Sequence, residues 1–332
     1  MRARKQMAIA VLRAFVVVCA CVAASCDHGD APDPLPRTGP LGSLRDLVLY
    51  MRADAAGGPF FLDLFEVTRA DFAGFAASKE GIACGASMPR LRDEQQDLPM
   101  AGVDLRTARA FAAWRRCRLM RAEEWAFVCT TDGRDAFPWG SRQDPSRANT
   151  SDLGAFSPLP VGTFESGRPQ SGPYDLIGNV AEWTETVPVA WFGSERDPLP
   201  AAAFARSQVA DTPGLAIWSA APGVFPPLFV VEAAGDAAPR EAVGSDFAGP
   251  MAETRELRAP SDSGDRIGLR LAATPREVIE GLGEDVVALA GVDAKLLARF
   301  CGKQGHADAL RSALENARIS AQARARWLKE LR

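Results

Sequence analysis

The order of apolar and polar positions divides the chain into segments of different character. Met7 to Val22 is almost wholly apolar, preceded by Arg2, Arg4 and Lys5 and followed by Ala23-Ala24-Ser25. A charged start, a short apolar centre and small residues at the end form the anatomy of a secretory signal. The apolar run is interrupted by Arg13 and is too short to span a bilayer comfortably. Residues 27–40 carry Pro32, Pro34, Pro36 and Pro40 with Gly29 and Gly39, a composition that buries little and predicts a flexible tether.

Beyond the tether the pattern becomes that of a folded domain. Phe60 to Val67 is aromatic and branched, bounded by Gly57-Gly58-Pro59, and predicts a buried strand. Thr68 stands as the cap of a helix over Arg69–Ser78, with Phe72, Phe75 and Ala76 on one face. Asp104 caps a second helix, in which Ala108, Phe111 and Ala112 recur at helical spacing. A third short helix fits Arg121–Cys129, with Trp125 and Val128 inward. From Thr130 onward Gly, Pro, Asn and Ser recur every few residues, which excludes ordinary helices and predicts a long irregular stretch. Residues 187–241 are rich in Ala and Pro, with one strand-like run at Leu228–Glu232, and read as a surface insertion. Ile267–Ala272 reads as a closing strand. The tail repeats amphipathic helical patterns at Val278–Leu289, Lys295–Gly302, His306–Ala317 and Ser320–Leu331.

Composition narrows the chemistry. Of 332 residues 47% are hydrophobic and 24% charged, as in globular proteins. No run of Lys or Arg exists to follow a phosphate backbone, so nucleic acid is not expected as a partner. There are two histidines, His28 and His306, both near the ends. The central domain therefore cannot hold a histidine-based metal centre or a serine–histidine–aspartate triad. Cleavage after Ser25 would remove four positive charges and no negative one, taking the formal charge from −4 to −8.

Cys26 directly follows Ala-Ala-Ser, as the lipid-bearing cysteine follows a bacterial lipobox. Lipid on Cys26 would anchor the protein to a membrane of the cell envelope without spanning it. Of seven cysteines, Cys84, Cys117, Cys129 and Cys301 remain after cleavage and lipidation, an even count that permits two disulfides of unspecified pairing. No CxxC spacing occurs among them, which argues against a zinc site.

Asp175-Leu-Ile-Gly-Asn-Val-Ala-Glu-Trp places two carboxylates seven residues apart around a Gly-Asn turn. Calcium takes six to eight oxygen ligands, including backbone carbonyls. A loop closing on one ion would present Asp175, the carbonyls of Gly178 and Val180, and Glu182.

Several blocks, in order, resemble the formylglycine-generating enzyme (sulfatase-modifying factor) family. These are Glu66-Val67-Thr68 with Phe72 and Phe75, Pro99-Met-Ala-Gly-Val with Ala108 to Trp114, and Arg118-Leu119 with Glu124-Trp125. Phe137-Pro138-Trp139-Gly140 with Ala148-Asn149, Tyr174 to Trp183, and Gly268-Leu269-Arg270 complete the set. The resemblance implies an α+β fold, a variant of the C-type lectin fold with much irregular structure, here carrying a C-terminal helical appendage. The expected organisation is a signal peptide over 1–25, a tether over 26–44, the family domain over 45–274 with its insertion, and the helical tail over 275–332. The resemblance also implies structural calcium at Asp175, Gly178, Val180 and Glu182, and a second cation site involving Asn149.

The departures from the family pattern bear on activity. Met120, Arg121 and Ala122 replace Pro-Thr-Glu, and the Arg-Gly-Gly-Ser-Trp block is reduced to Val243-Gly244-Ser245-Asp246-Phe247 after Ala242. The family's oxidases bind copper(I) through two cysteines ahead of the closing strand, but residues 248–266 contain neither cysteine nor histidine. No copper is expected. The reading is a non-catalytic binding or structural module of the cell envelope, with an envelope protein or polysaccharide as partner. The alternative is a divergent oxidoreductase of the family using Asp246, Arg266 and Arg270. Arg270 is expected to be buried against a carboxylate, with Glu66 the candidate that would join the first and last strands.

Overall fold

The computed structural model describes residues 47–50, 58–88, 95–131, 134–186, 205–207, 215–219, 228–231, 240–249, 251, 255–282, 302 and 305–332. The signal, Cys26, the tether, Cys301 and the expected helix at Lys295–Gly302 (apart from Gly302) lie outside these residues. Three sheets form. The first has the order β1 (Leu47–Tyr50), β2 (Phe60–Asp63), β11 (Leu271–Ala273), β3 (Arg118–Leu119). The second has the order β10 (Ile267–Leu269), β4 (Ala181–Trp183), β8 (Arg240–Val243), β9 (Arg255–Arg258). The third joins β5 (Ala205–Ser207), β6 (Leu215–Ser219) and β7 (Leu228–Val231), so the 187–241 segment holds three strands where its pattern predicts one.

Helix α1 (Arg69–Ala76) starts at Thr68, whose hydroxyl accepts from the Asp71 amide while the Asp71 carboxylate accepts from the Thr68 amide. This capping box satisfies two amides that a helix start leaves without partners. The expected helix over Arg69–Ser78 ends early, because Ser78 caps a separate helix, α2 (Lys79–Cys84), by accepting from Gly81 N at 3.0 Å. A side chain at Gly81 would collide with the Phe75 carbonyl, its Cβ only 2.0 Å away. Helix α3 (Leu105–Trp114) is capped by Asp104 as its spacing predicts, and α4 (Ala122–Cys129) follows. Phe72, Phe75 and Phe111 meet at ring distances of 5.3 to 5.6 Å and build the core between these helices and the second sheet. Among the described residues of 130–180 the helical pieces are two short 3-10 turns, Pro145–Arg147 and Glu165–Gly167.

The closing strand is not continuous. β10 runs parallel to β4, whereas β11 runs antiparallel to β2 and β3. Arg270 sits between them, so one apolar run serves two sheets.

Three tail helices are described: α5 (Pro275–Leu282), α6 (His306–Leu314) and α7 (Ala321–Glu330). Val278, Ile279, Leu310, Leu314, Trp327 and Leu331 pack with Phe61 of β2 and Ala273 of β11 in one buried cluster. Thr274 and Glu277 cap α5 reciprocally, with Thr274 N to Glu277 Oε2 at 2.6 Å. The tail thus covers the domain's own sheet. Among the described residues no helix is long and apolar enough to cross a membrane.

The two disulfides that the even count permits are not formed among Cys84, Cys117 and Cys129: Cys84 ends α2, Cys117 follows α3, and Cys129 ends α4 against a different part of the core.

Trp327 is fully buried, and its indole N–H has no hydrogen-bond partner. Trp327→Ala is expected to lower unfolding stability by about 3–5 kcal/mol. Trp327→Phe should cost less, because no hydrogen bond is lost with the nitrogen. Urea unfolding followed by circular dichroism measures both.

Candidate functional site

The candidate site is built on the Tyr174–Trp183 segment. Its turn requires a left-handed backbone at Asp175 (φ 52°), Gly178 (φ 84°) and Asn179 (φ 63°). Gly178 passes so close to Asn149 that a Cβ would lie 2.4 Å from the Asn149 carbonyl oxygen. Asn tolerates the left-handed region better than most residues, and its amide can fasten the turn. Asn179 does so on both sides: its Nδ2 donates to Glu66 Oε2 at 2.6 Å, and its Oδ1 accepts from Leu159 N at 2.9 Å and from Asn149 Nδ2 at 3.1 Å. Glu66 Oε1 accepts from Val180 N at 3.1 Å.

Arg270 lies beneath this turn and is fully buried. Its Nε and Nη2 both donate to Glu182 Oε1, at 2.9 and 2.6 Å. Its remaining donors reach the carbonyls of Asp63 at 3.2 Å and Tyr174 at 2.8 Å. The expected carboxylate partner is thus corrected: Glu182, not Glu66, takes the guanidinium. Glu182 lies on β4 opposite Gly268 of β10, two residues before the arginine, whereas Glu66 is drawn to the turn amides.

Three buried carboxylates, Glu66, Asp175 and Glu182, surround this one guanidinium. Burial raises all three above the ordinary carboxylate range; at Glu66 the like-charged Asp175 and Glu182 add to the rise, Arg270 opposes it at Glu182, and the Gly162 amide and then Arg270 oppose it at Asp175. Burial works against the Arg270 charge, but Glu182 more than offsets it. Asp175 Oδ2 accepts from Gly162 N at 2.7 Å. Glu182 Oε2 and Asn149 Oδ1 are buried with no hydrogen-bond partner. Among the described residues, no three His, Cys, Asp or Glu side chains gather into a metal-ligand set. The excess negative charge and the two orphaned oxygens nevertheless suit an oxygen-seeking cation that takes its other ligands from carbonyls. The residues present fit calcium.

Around the site, Trp183 Nε1 donates to the Val103 carbonyl and Trp125 Nε1 to the Leu176 carbonyl, both at 2.9 Å. Arg118 forks onto Glu124 at 2.8 and 2.6 Å, tying β3 to the start of α4. The Arg118-Leu119 and Glu124-Trp125 pieces of the sequence are therefore one contact. Asn149, expected at a second cation site, meets the turn through Asn179. Asn179 is the residue whose role sequence reasoning missed; its position beside Gly178 in a forced turn was the available signal.

Of the residues named for the alternative chemistry, Asp246 and Arg266 come together and Arg270 lies apart on Glu182. Asp246 Oδ1 accepts from Ala248 N at 2.7 Å and Gly249 N at 2.9 Å, and lies 3.5 Å from Arg266 Nη1. Arg270 is buried on Glu182 and unavailable to a substrate. Burial also pushes the Cys117 thiol up to about 12, far from a thiolate ligand.

Arg270→Met should destabilise the metal-free protein by about 3–5 kcal/mol, because Glu182 is left buried without its partner. The double change Arg270→Met with Glu182→Leu should recover much of this loss in urea titrations.

Comparisons with known proteins follow the same outline. The chain is 36% identical over 146 residues to hercynine oxygenase of Mycolicibacterium smegmatis, covering 40% of this chain and 33% of that protein. It is 29% identical over 209 residues to inactive C-alpha-formylglycine-generating enzyme 2 of Mus musculus, covering 47% of this chain and 63% of that protein. The chain thus spans between a third and under two thirds of these curated relatives. Among solved structures, PvdO from Pseudomonas aeruginosa matches with 21% identity and a TM-score of 0.42, covering 68% of this chain and 91% of that one. A model of the sulfatase-modifying factor enzyme 1-like domain matches residues 52–275, about two thirds of the chain, and the chain belongs to that family.

Proposed function

We propose that this protein is an exported, lipid-anchored member of the family that has kept the calcium-bound frame and lost the oxidase chemistry, and that it serves as a binding or structural module of the cell envelope. The observation that carries the reading is the absence of cysteine and histidine from residues 248–266, where the family's oxidases hold copper(I) on thiolates. Cys84, Cys117 and Cys129 are not substitutes, since each lies in or beside a helix of the packed core. One curated relative bears the name of an inactive formylglycine-generating enzyme, consistent with a fold that outlives its activity.

Calcium would be held by the carboxylates of Asp175 and Glu182 with the carbonyls of Gly178 and Val180, and a second ion by Asn149 and nearby carbonyls. When bound, it would offset the buried negative charge around Arg270. Export and anchoring rest on the Met1–Ser25 signal and Cys26, and the envelope partner is an envelope protein or a polysaccharide.

Metal analysis of the purified full chain should find calcium and no stoichiometric copper or iron. Oxygen consumption with a cysteine peptide, or bound redox metal, would instead establish the divergent oxidoreductase. Calcium at about 100 times its Kd should stabilise the protein by about 2.7 kcal/mol. Asp175→Asn, which keeps an acceptor for Gly162 N, should reduce that gain with little loss of metal-free stability.

Expression with radiolabelled palmitate should label the mature protein, and Cys26→Ala should abolish both label and membrane fractionation. Persistent labelling in that variant would remove the anchor assignment.

A further inference from the structure

A cavity of about 620 Å³ opens beside the second half of α4, and no part of the proposed function uses it. Its volume suits a ligand of one or two rings. The floor is aromatic and held flat. Trp139 stacks on Phe137 with centroids 5.2 Å apart and planes 10° apart, and Tyr50 stacks on Phe60 at 5.6 Å and 24°. Phe127 completes this surface and itself lies edge-on to Phe60. The wall is equally fixed. The turns at Pro145–Arg147 and Glu165–Gly167 approach so closely that a Cβ on Gly167 would lie 2.0 Å from the Arg147 carbonyl oxygen. The cavity is therefore preformed.

The polar groups on its lining indicate what it would bind. Arg134 donates its Nε to the Thr131 carbonyl at 2.9 Å and forms no ion pair among the described residues. Arg147 places Nε on Asp144 at 2.9 Å and Nη1 on the Ser166 carbonyl at 3.0 Å, which leaves Nη2. Asp135 and Glu165 supply carboxylates; Asp135 accepts only from Ser141 Oγ, at 3.2 Å, while Glu165 is held by Arg168 and Tyr174. The Tyr50 hydroxyl is buried without a hydrogen-bond partner, in space left by Gly172, where a Cβ would lie 2.8 Å away. Burial raises the Tyr50 pKa further, so this hydroxyl remains a donor at any physiological pH.

Guanidinium groups only donate hydrogen bonds and carboxylates only accept them. An anion would meet Arg134, Arg147 and Arg168, the last paired with Glu165, but be opposed by Asp135 and Glu165, and a cation would meet the reverse. A neutral polyol satisfies both, because each hydroxyl donates and accepts. Its ring C–H face also suits a flat aromatic surface. We infer that this cavity is a saccharide-binding site taking one or two neutral pyranose rings, laid against Trp139 and Tyr50 and hydrogen-bonded by Arg134, Arg147 and Asp135. The inference rests on the reading of the protein as an envelope recognition module and names the chemistry it would recognise.

The test is saturation-transfer NMR and equilibrium titration of the full chain with cellobiose, maltose and chitobiose, and with glucuronate and glucosamine as charged controls. At least one neutral disaccharide should bind saturably and in preference to both controls. Trp139→Ala should weaken that binding by about tenfold or more. Arg134→Gln, an exposed change that leaves the fold intact, should weaken it as well. Binding of no neutral disaccharide, stronger binding of a charged control, or affinity unchanged in both variants would overturn the site. Calcium content and thiol-peptide oxidation, measured on the same sample, test the module reading separately. A failure of saccharide binding alone would remove this site and leave that reading in place.

Discussion

The Arg270–Glu182 ion pair is the contact on which the rest of the domain depends. It lies at the point where one apolar run leaves the second sheet and enters the first, so both sheets meet at its buried charges. A buried guanidinium is tolerated only when its donors are filled, and here the carbonyls of Asp63 and Tyr174 take those that Glu182 does not. The same pair fixes the place of the Asp175 turn, because that turn supplies one of these carbonyls and β4 supplies the carboxylate.

Above the pair, a second polar layer converts an irregular loop into a rigid one. Asn179 bonds to Glu66, Asn149 and the Leu159 backbone, and so joins four segments that share no regular secondary structure. Long loops stay ordered only when their backbone groups find partners. Beneath the turn, three buried carboxylates face a single guanidinium.

The helical tail and the 130–170 loops use the scaffold differently. The tail closes the face of β2 and β11 with Phe61, Ile279, Leu310 and Trp327, which makes it part of the core and not a free arm. The loops on the other side leave an aromatic cavity whose walls are held by close backbone contact at Gly167. Fixed loops on a packed scaffold are what a recognition surface requires.

Much of this was legible in the residues. Thr68 and Asp104 announced their helices because a cap acts over three residues, and the aromatic spacing of Phe72, Phe75 and Phe111 declared the core face. The Asp175–Trp183 string and its neighbours announced the family. The partner of Arg270, the split of its strand between two sheets, the separation of Cys84, Cys117 and Cys129, and the role of Asn179 were decided only by the tertiary structure. Local signals act within one turn or one strand, whereas these features depend on which distant segments burial brings together: Glu182 lies 88 residues from Arg270, and Glu66 lies 113 from Asn179.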